Sequence, residues 1–211
     1  MRLREKSWLA GMVFLAALGL AGCSSNDDLR VFTAEILSDQ PSDGDISFDP
    51  VNGFIPTNGP DTLFFGIDEA NPNTPEYRAF LTFPLSTVPL GAQIDSAFLI
   101  VNIFDVNFSS TIHTFLDLVT YFPGALVPAD YSSDPLSYPG GGFAFRSFDF
   151  FSSDIGFDVN IEVTSLMREA QRRGLPDFQV RFMLDTGPGF VEIDDRPTVT
   201  ITAPLLIVNY F

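Results

Sequence analysis

The sequence predicts an all-β fold, a sandwich or a barrel, with one short helix. Three observations carry this. Short apolar or alternating runs recur along the chain, and Pro, Gly, Asn and Asp separate them. Only one segment, residues 164–173, has helical spacing and helical stop signals. Finally, the chain holds 23 Phe among 211 residues, which is ample apolar material for a core of one domain.

Taken in order, strands are expected near 31–37 (VFTAEIL), 62–67 (TLFFGI), 77–83 (YRAFLTF) and 93–104 (QIDSAFLIVNIF). More follow near 111–121 (TIHTFLDLVTY), 143–151 (FAFRSFDFF), 157–163 (FDVNIEV), 178–184 (FQVRFML), 190–194 (FVEID) and 205–210 (LLIVNY). Pro89 and Gly91 read as the turn between the third and fourth strands. In FAFRSFDFF, Phe143 and Phe145 share one parity and Phe148 and Phe150 the other, so a bulge is expected near Arg146-Ser147. In TSLMREAQRRG, Thr164 or Ser165 is the expected N-cap. Arg172 and Arg173 sit in the last turn, Gly174 is the stop, and Leu166, Met167 and Ala170 form the apolar stripe. Two stretches, 38–61 and 123–142, read as long loops, a class often functional.

The N-terminus has the layout of a secretory leader. Arg2, Arg4 and Lys6 are followed by an uncharged run from Ser7 to Gly22. That run is rich in Gly and Ala and falls short of the ~20 apolar residues of a spanning helix. Leu20-Ala21-Gly22-Cys23 resembles a lipobox, which implies a leader over 1–22, a lipid on Cys23 and a tether over 23–30 ahead of a domain at 31–211. Ser24 rather than Asp follows the cysteine, which favours an outer-membrane or cell-surface address. Cys23 is the single cysteine, so no disulfide within the chain is available. Cleavage removes Arg2, Arg4, Lys6 and Glu5, a net +2, so the charge goes from −16 to −18. No Lys remains, against eight Arg and 26 acids. A field this negative repels nucleic acid and anionic surfaces.

One stretch resembles a known family. In EYRAFLTFPLSTVPLGAQIDSAFLIV, the residues Arg78, Leu81, Phe83, Leu85, Ser86, Pro89, Gly91, Ala92, Ile94, Ser96, Ala97 and Leu99 match a pattern of DNRLRE-type domains. Further on, Val163, Thr164, Leu166 and Phe178 match that family's second segment, and PLLIVNY resembles its terminal strand. The resemblance implies a jelly-roll β-sandwich, secreted or surface-attached, of the kind grouped with carbohydrate-binding modules. The chain departs from the pattern at three places. DEANPNTP (68–75) replaces the name motif, Pro84 stands at an aspartate position, and Gln171 lies near the place of a helix Trp.

Few residues invite catalysis. His113 is the one histidine, it lies within a predicted strand, and no G-x-S-x-G elbow accompanies it. Zinc needs several His or Cys ligands, which this chain lacks. The expectation is therefore a non-catalytic protein. Calcium is a possible cofactor, since it takes oxygen ligands: Asp43, Asp45 and Asp49 make one oxygen-rich group and Asp68, Asn71 and Asn73 a second. Turn chemistry explains the same residues. For a polysaccharide ligand, aromatic rings beside hydrogen-bonding groups are wanted, and ADYSSDPLSYPGGG offers Asp130, Tyr131, Asp134 and Tyr138. The alternative partner is another envelope protein, bound through a sheet edge or an exposed Phe patch.

Overall fold

The computed structural model describes residues 30–196 and 202–211. The stretch 1–22, expected to be a leader, and Cys23 lie outside the described residues. Within Val31–Phe211 the strands are β1 (Phe32–Leu37), β2 (Gly44–Asp49), β3 (Gly53–Asn58), β4 (Thr62–Ile67), β5 (Glu76–Pro84) and β6 (Ile94–Asn107). They continue as β7 (Thr111–Leu118), β8 (Phe145–Phe151), β9 (Asp158–Glu162), β10 (Asp177–Thr186), β11 (Phe190–Asp194) and β12 (Leu205–Tyr210). One α-helix, α1 (Thr164–Arg173), lies between β9 and β10.

All pairings between these strands are antiparallel. The sheet runs β1-β12-β6-β11-β4-β5-β10-β7-β8, with β2 on β5, β3 on β2 and β9 on β6. It curls over until its two halves face each other, giving an all-β, jelly-roll-like sandwich. The strand β6 joins the halves. Its start pairs with β12 through Ile94–Ile100 and its end with β11 through Ile103–Asn107. Rings from distant parts of the sheet meet across the interior: Phe65 of β4 lies 5.7 Å from Phe150 of β8 and 5.5 Å from Phe182 of β10.

The core follows from strand alternation. Leu81 and Phe83 of β5, Val180 and Phe182 of β10, Leu116 and Leu118 of β7, and Leu99 and Val101 of β6 are all fully buried in one cluster. Most residues of the family-like pattern are therefore core. The turn after β5 closes with the Ala92 N–H donating to the Pro89 carbonyl at 3.0 Å, and Gly91 supplies the φ of +84° that this turn requires.

The structure corrects three expectations. The stretch 38–61 is not a loop, because it holds the β2–β3 hairpin. Among the described residues β3 pairs with β2 alone, so Pro56 occupies an edge strand, where a missing N–H costs no ladder bond. No bulge interrupts β8: its register with β7 runs unbroken from Thr111↔Phe151 to Asp117↔Phe145. Phe148 and Phe150 face the core, whereas Phe145 sits on the outer face, edge-on to Phe115. Both faces of the strand carry rings, so no slip is needed. Last, Val163 occupies the N-cap of α1 with no side-chain cap. Thr164 is drawn instead to β6, where its Oγ1 accepts the Ala97 N–H, while the Glu162 carboxylate accepts the Thr164 N–H. The C-terminus of the helix is as expected, with Gly174 left-handed at φ 65°.

Candidate functional site

The outer face of β5, β10 and β7 is crossed by the segment 119–135, which packs as a second small core. Ile46, Phe80, Val119, Tyr121, Leu126 and Tyr131 are buried there. Polar side chains that point out from the sheet fasten it. Gln179 bonds both the N–H and the carbonyl of Tyr121 at 3.1 Å, and Thr82 meets the Tyr121 hydroxyl at 2.6 Å. Arg181 donates to the carbonyls of Asp130 and Tyr131 at 3.1 and 2.8 Å. It also grips Asp117 through two bonds, at 3.2 and 2.6 Å, with both side chains almost wholly shielded from water. Burial pushes the Asp117 carboxyl up from its ordinary value, and the Arg181 guanidinium opposes this. Arg78 donates to the Tyr131 carbonyl at 2.6 Å and lies 4.0 Å over its ring.

Beyond this strap the outer face of β7 and β8 is open. A cleft of about 210 Å³ is lined by Phe115, Asp117, Pro135, Phe143, Phe145 and Met183. Phe143 and Phe145 are about half exposed. The next residues on this face are polar. Ser147 pairs with Phe115, and His113 with Asp149, whose carboxylate lies 2.7 Å from the His113 ring. Aromatic rings thus give way to a hydroxyl, an imidazole and a carboxylate along one strand pair. Such a mixture of apolar surface and a few polar groups is what an organic ligand requires.

The residues expected at 130–138 fall within the strap, beside the cleft or against the main core. Tyr131 is buried, its ring packed 4.9 Å from Phe54, so it holds the strap rather than offering a free face. The Asp130 carboxylate accepts the Val127 N–H and closes a turn. Asp134 immediately precedes Pro135 of the cleft wall, and Tyr138 packs against the main core. The residues that line the cleft, Phe115, Phe143 and Phe145, were visible in the sequence only as strand aromatics.

The two oxygen-rich groups are partly brought together. The Asp49 carboxylate accepts from Val51 N, Asn52 N, Asn52 Nδ2 and Asn73 Nδ2, which holds it below the usual carboxylate range, with the Val51 N–H contributing most. Its lone pairs are therefore occupied by N–H donors. Asp68 Oδ1 accepts the Ala70 N–H and Asn71 Oδ1 the Asn73 N–H, each pinning its own turn. Asp43 and Asp45 point away from these turns and into the sandwich. Burial pushes Asp45 up to about 7. Among the described residues, no group of three or more His, Cys, Asp or Glu side chains is placed to hold a metal ion.

No protein-family model matches the chain, and no curated protein matches it. Among the described residues, no helix is long and apolar enough to cross a membrane.

Proposed function

We propose that the chain is a non-catalytic binding module of the cell envelope, held to the membrane by lipid on Cys23, that takes a neutral carbohydrate on the outer face of β7 and β8. The observation that carries this reading is the strip of Phe143, Phe145 and Phe115 continuing into Ser147, His113 and Asp149. A sugar presents C–H faces, which stack on rings, and hydroxyls, which need donors and acceptors. The strip supplies both in the order a chain of sugars would meet them. The similarity to DNRLRE-type domains, on a jelly-roll-like sandwich, supports the same reading. A net charge of −18 after leader removal disfavours an anionic polysaccharide.

The test is binding of the full chain to a panel of neutral polysaccharides, compared with the variant Phe143→Ala/Phe145→Ala. Both rings are half exposed, so the variant keeps its fold. Loss of two stacked rings at about 1–3 kcal/mol each, the scale known for ring stacking on nucleobases, lowers affinity at least tenfold. If no polysaccharide is retained by the parent, or the variant binds as well, the glycan reading fails. A second reading draws on the strongly apolar lining of the cleft, which suits an aliphatic or aromatic side chain of an envelope protein. A defined envelope protein that co-purifies with the parent and is lost with the double variant would favour it.

A further inference from the structure

Three chain segments meet at one end of the sandwich: Ser38 follows β1, Asp43 precedes β2, and Asp195 follows β11. The backbone holds them firmly. Ser38 N–H donates to Pro204 O, Asp39 N–H to Thr82 O, and Asp195 N–H to Asp61 O. Both Asp43 and Asp195 are fully buried, at 0 % exposure. Each carboxylate has one satisfied oxygen. Asp43 Oδ1 accepts the Thr82 N–H at 2.6 Å, and Asp195 Oδ1 accepts the Ser38 hydroxyl at 3.1 Å. The other oxygen of each, Oδ2, is buried and has no hydrogen-bond partner among the described residues.

Two buried acids without a counter-ion are costly, because desolvation is uncompensated. Asp194 next door does not share this state, since Arg196 pairs with it. The Ser38 hydroxyl is close enough to both acids to lower each, yet its single hydrogen serves one at a time. We propose that Ser38, Asp43 and Asp195 cradle a calcium ion, which the two unpartnered Oδ2 atoms bind. The ligand set is hard oxygen throughout: two carboxylates and a hydroxyl, with main-chain carbonyls and water filling the rest. Its two carboxylates fall short of a cluster of three acids, and one of them stands far from the other in sequence. Closure from solvent favours calcium over magnesium, which dehydrates reluctantly.

The site is separate from the β7–β8 face, and its test is independent of any glycan. The full chain is refolded from denaturant in millimolar calcium or in chelator, dialysed, and assayed for bound metal and for Tm. The expected result is one calcium per chain and a Tm higher by roughly 5–10 °C when calcium exceeds its Kd a hundredfold. Asp43→Asn and Asp195→Asn keep the side-chain shape and remove the repulsion. They fold, hold no calcium and show no rise, whereas Asp49→Asn retains both. A parent chain without bound calcium and with equal Tm in the two buffers overturns the proposal. So does retention of the ion by both Asp43→Asn and Asp195→Asn.

Discussion

Replacing Arg181 with Met should nearly unfold the protein, and restoring the balance of charge should rescue it. Arg181 is buried and serves Asp117 twice, the carbonyls of Asp130 and Tyr131 once each, and Ser133 Oγ at 3.4 Å. Met fills similar length but donates nothing. Breaking a buried ion pair by removing one partner costs about 3–5 kcal/mol. Both carbonyls are spared, because Tyr131 O keeps its bond from Arg78 and Asp130 O keeps those from the Ser133 N–H and hydroxyl. The loss is therefore that of the ion pair, and at its upper end it equals the whole stability of a marginal domain, about 5 kcal/mol. The assay is urea unfolding of Arg181→Met and of Arg181→Met/Asp117→Leu. The double variant removes both charges and should recover most of the loss. The single variant should also regain stability in acid. Without Arg181, the Asp117 carboxyl rises further above its unfolded value, so the deficit grows as pH climbs between the two values and is absent below them. A single variant that costs under about 1 kcal/mol, or a double variant no better than the single, would show that the pair does not hold the strap.

Two further outcomes are expected. Glu169 is buried and accepts from Arg172 and Arg173, with the Arg172 bond the main cause that holds its carboxyl below 4.5. A lowered folded value means stability that is present above the unfolded value and lost as pH falls through the folded one. Glu169→Gln should therefore cost about 1 kcal/mol at pH 7, discounted because both arginines are partly exposed, and nothing once the parent carboxyl is protonated; equal costs at both pH values in thermal melts would exclude this. Gly66 has φ +103°, and a Cβ there would lie 2.2 Å from the Gly189 carbonyl oxygen, whereas Gly91 at φ +84° faces open space. Gly91→Ala should cost about 1 kcal/mol from backbone strain alone and Gly66→Ala at least about 3 kcal/mol; similar melting temperatures for the two would refute the contact.

The sequence revealed strands where short apolar runs are bounded by turn residues. The boundaries of β4, β11 and β12 coincide with their apolar runs, which are buried or half-buried throughout. The β2–β3 hairpin escaped detection for a physical reason. Its inward positions include Asp45 and Ser47, residue types that signal a turn, and its outward Ile46 is covered by a strap from another part of the chain. Tertiary burial overrode local propensity there. The cleft was hidden for a related reason. Phe145 and Phe148 looked like a parity conflict, and only the unbroken register of β8 against β7 shows that the two rings serve opposite faces. Asp195 could not be linked with Asp43 from sequence, since the two meet only after the sheet has curled.

Among the described strands, the outermost, β1, has one neighbour, β12, with which it pairs from Phe32↔Tyr210 to Leu37↔Leu205. These two segments come from opposite ends of the described chain. Pairing them closes nearly the whole described chain into one loop, a high-contact-order step that slows folding. Until it is made, Val31 and Phe32, still half exposed in the finished fold, stand beside an unpaired backbone edge.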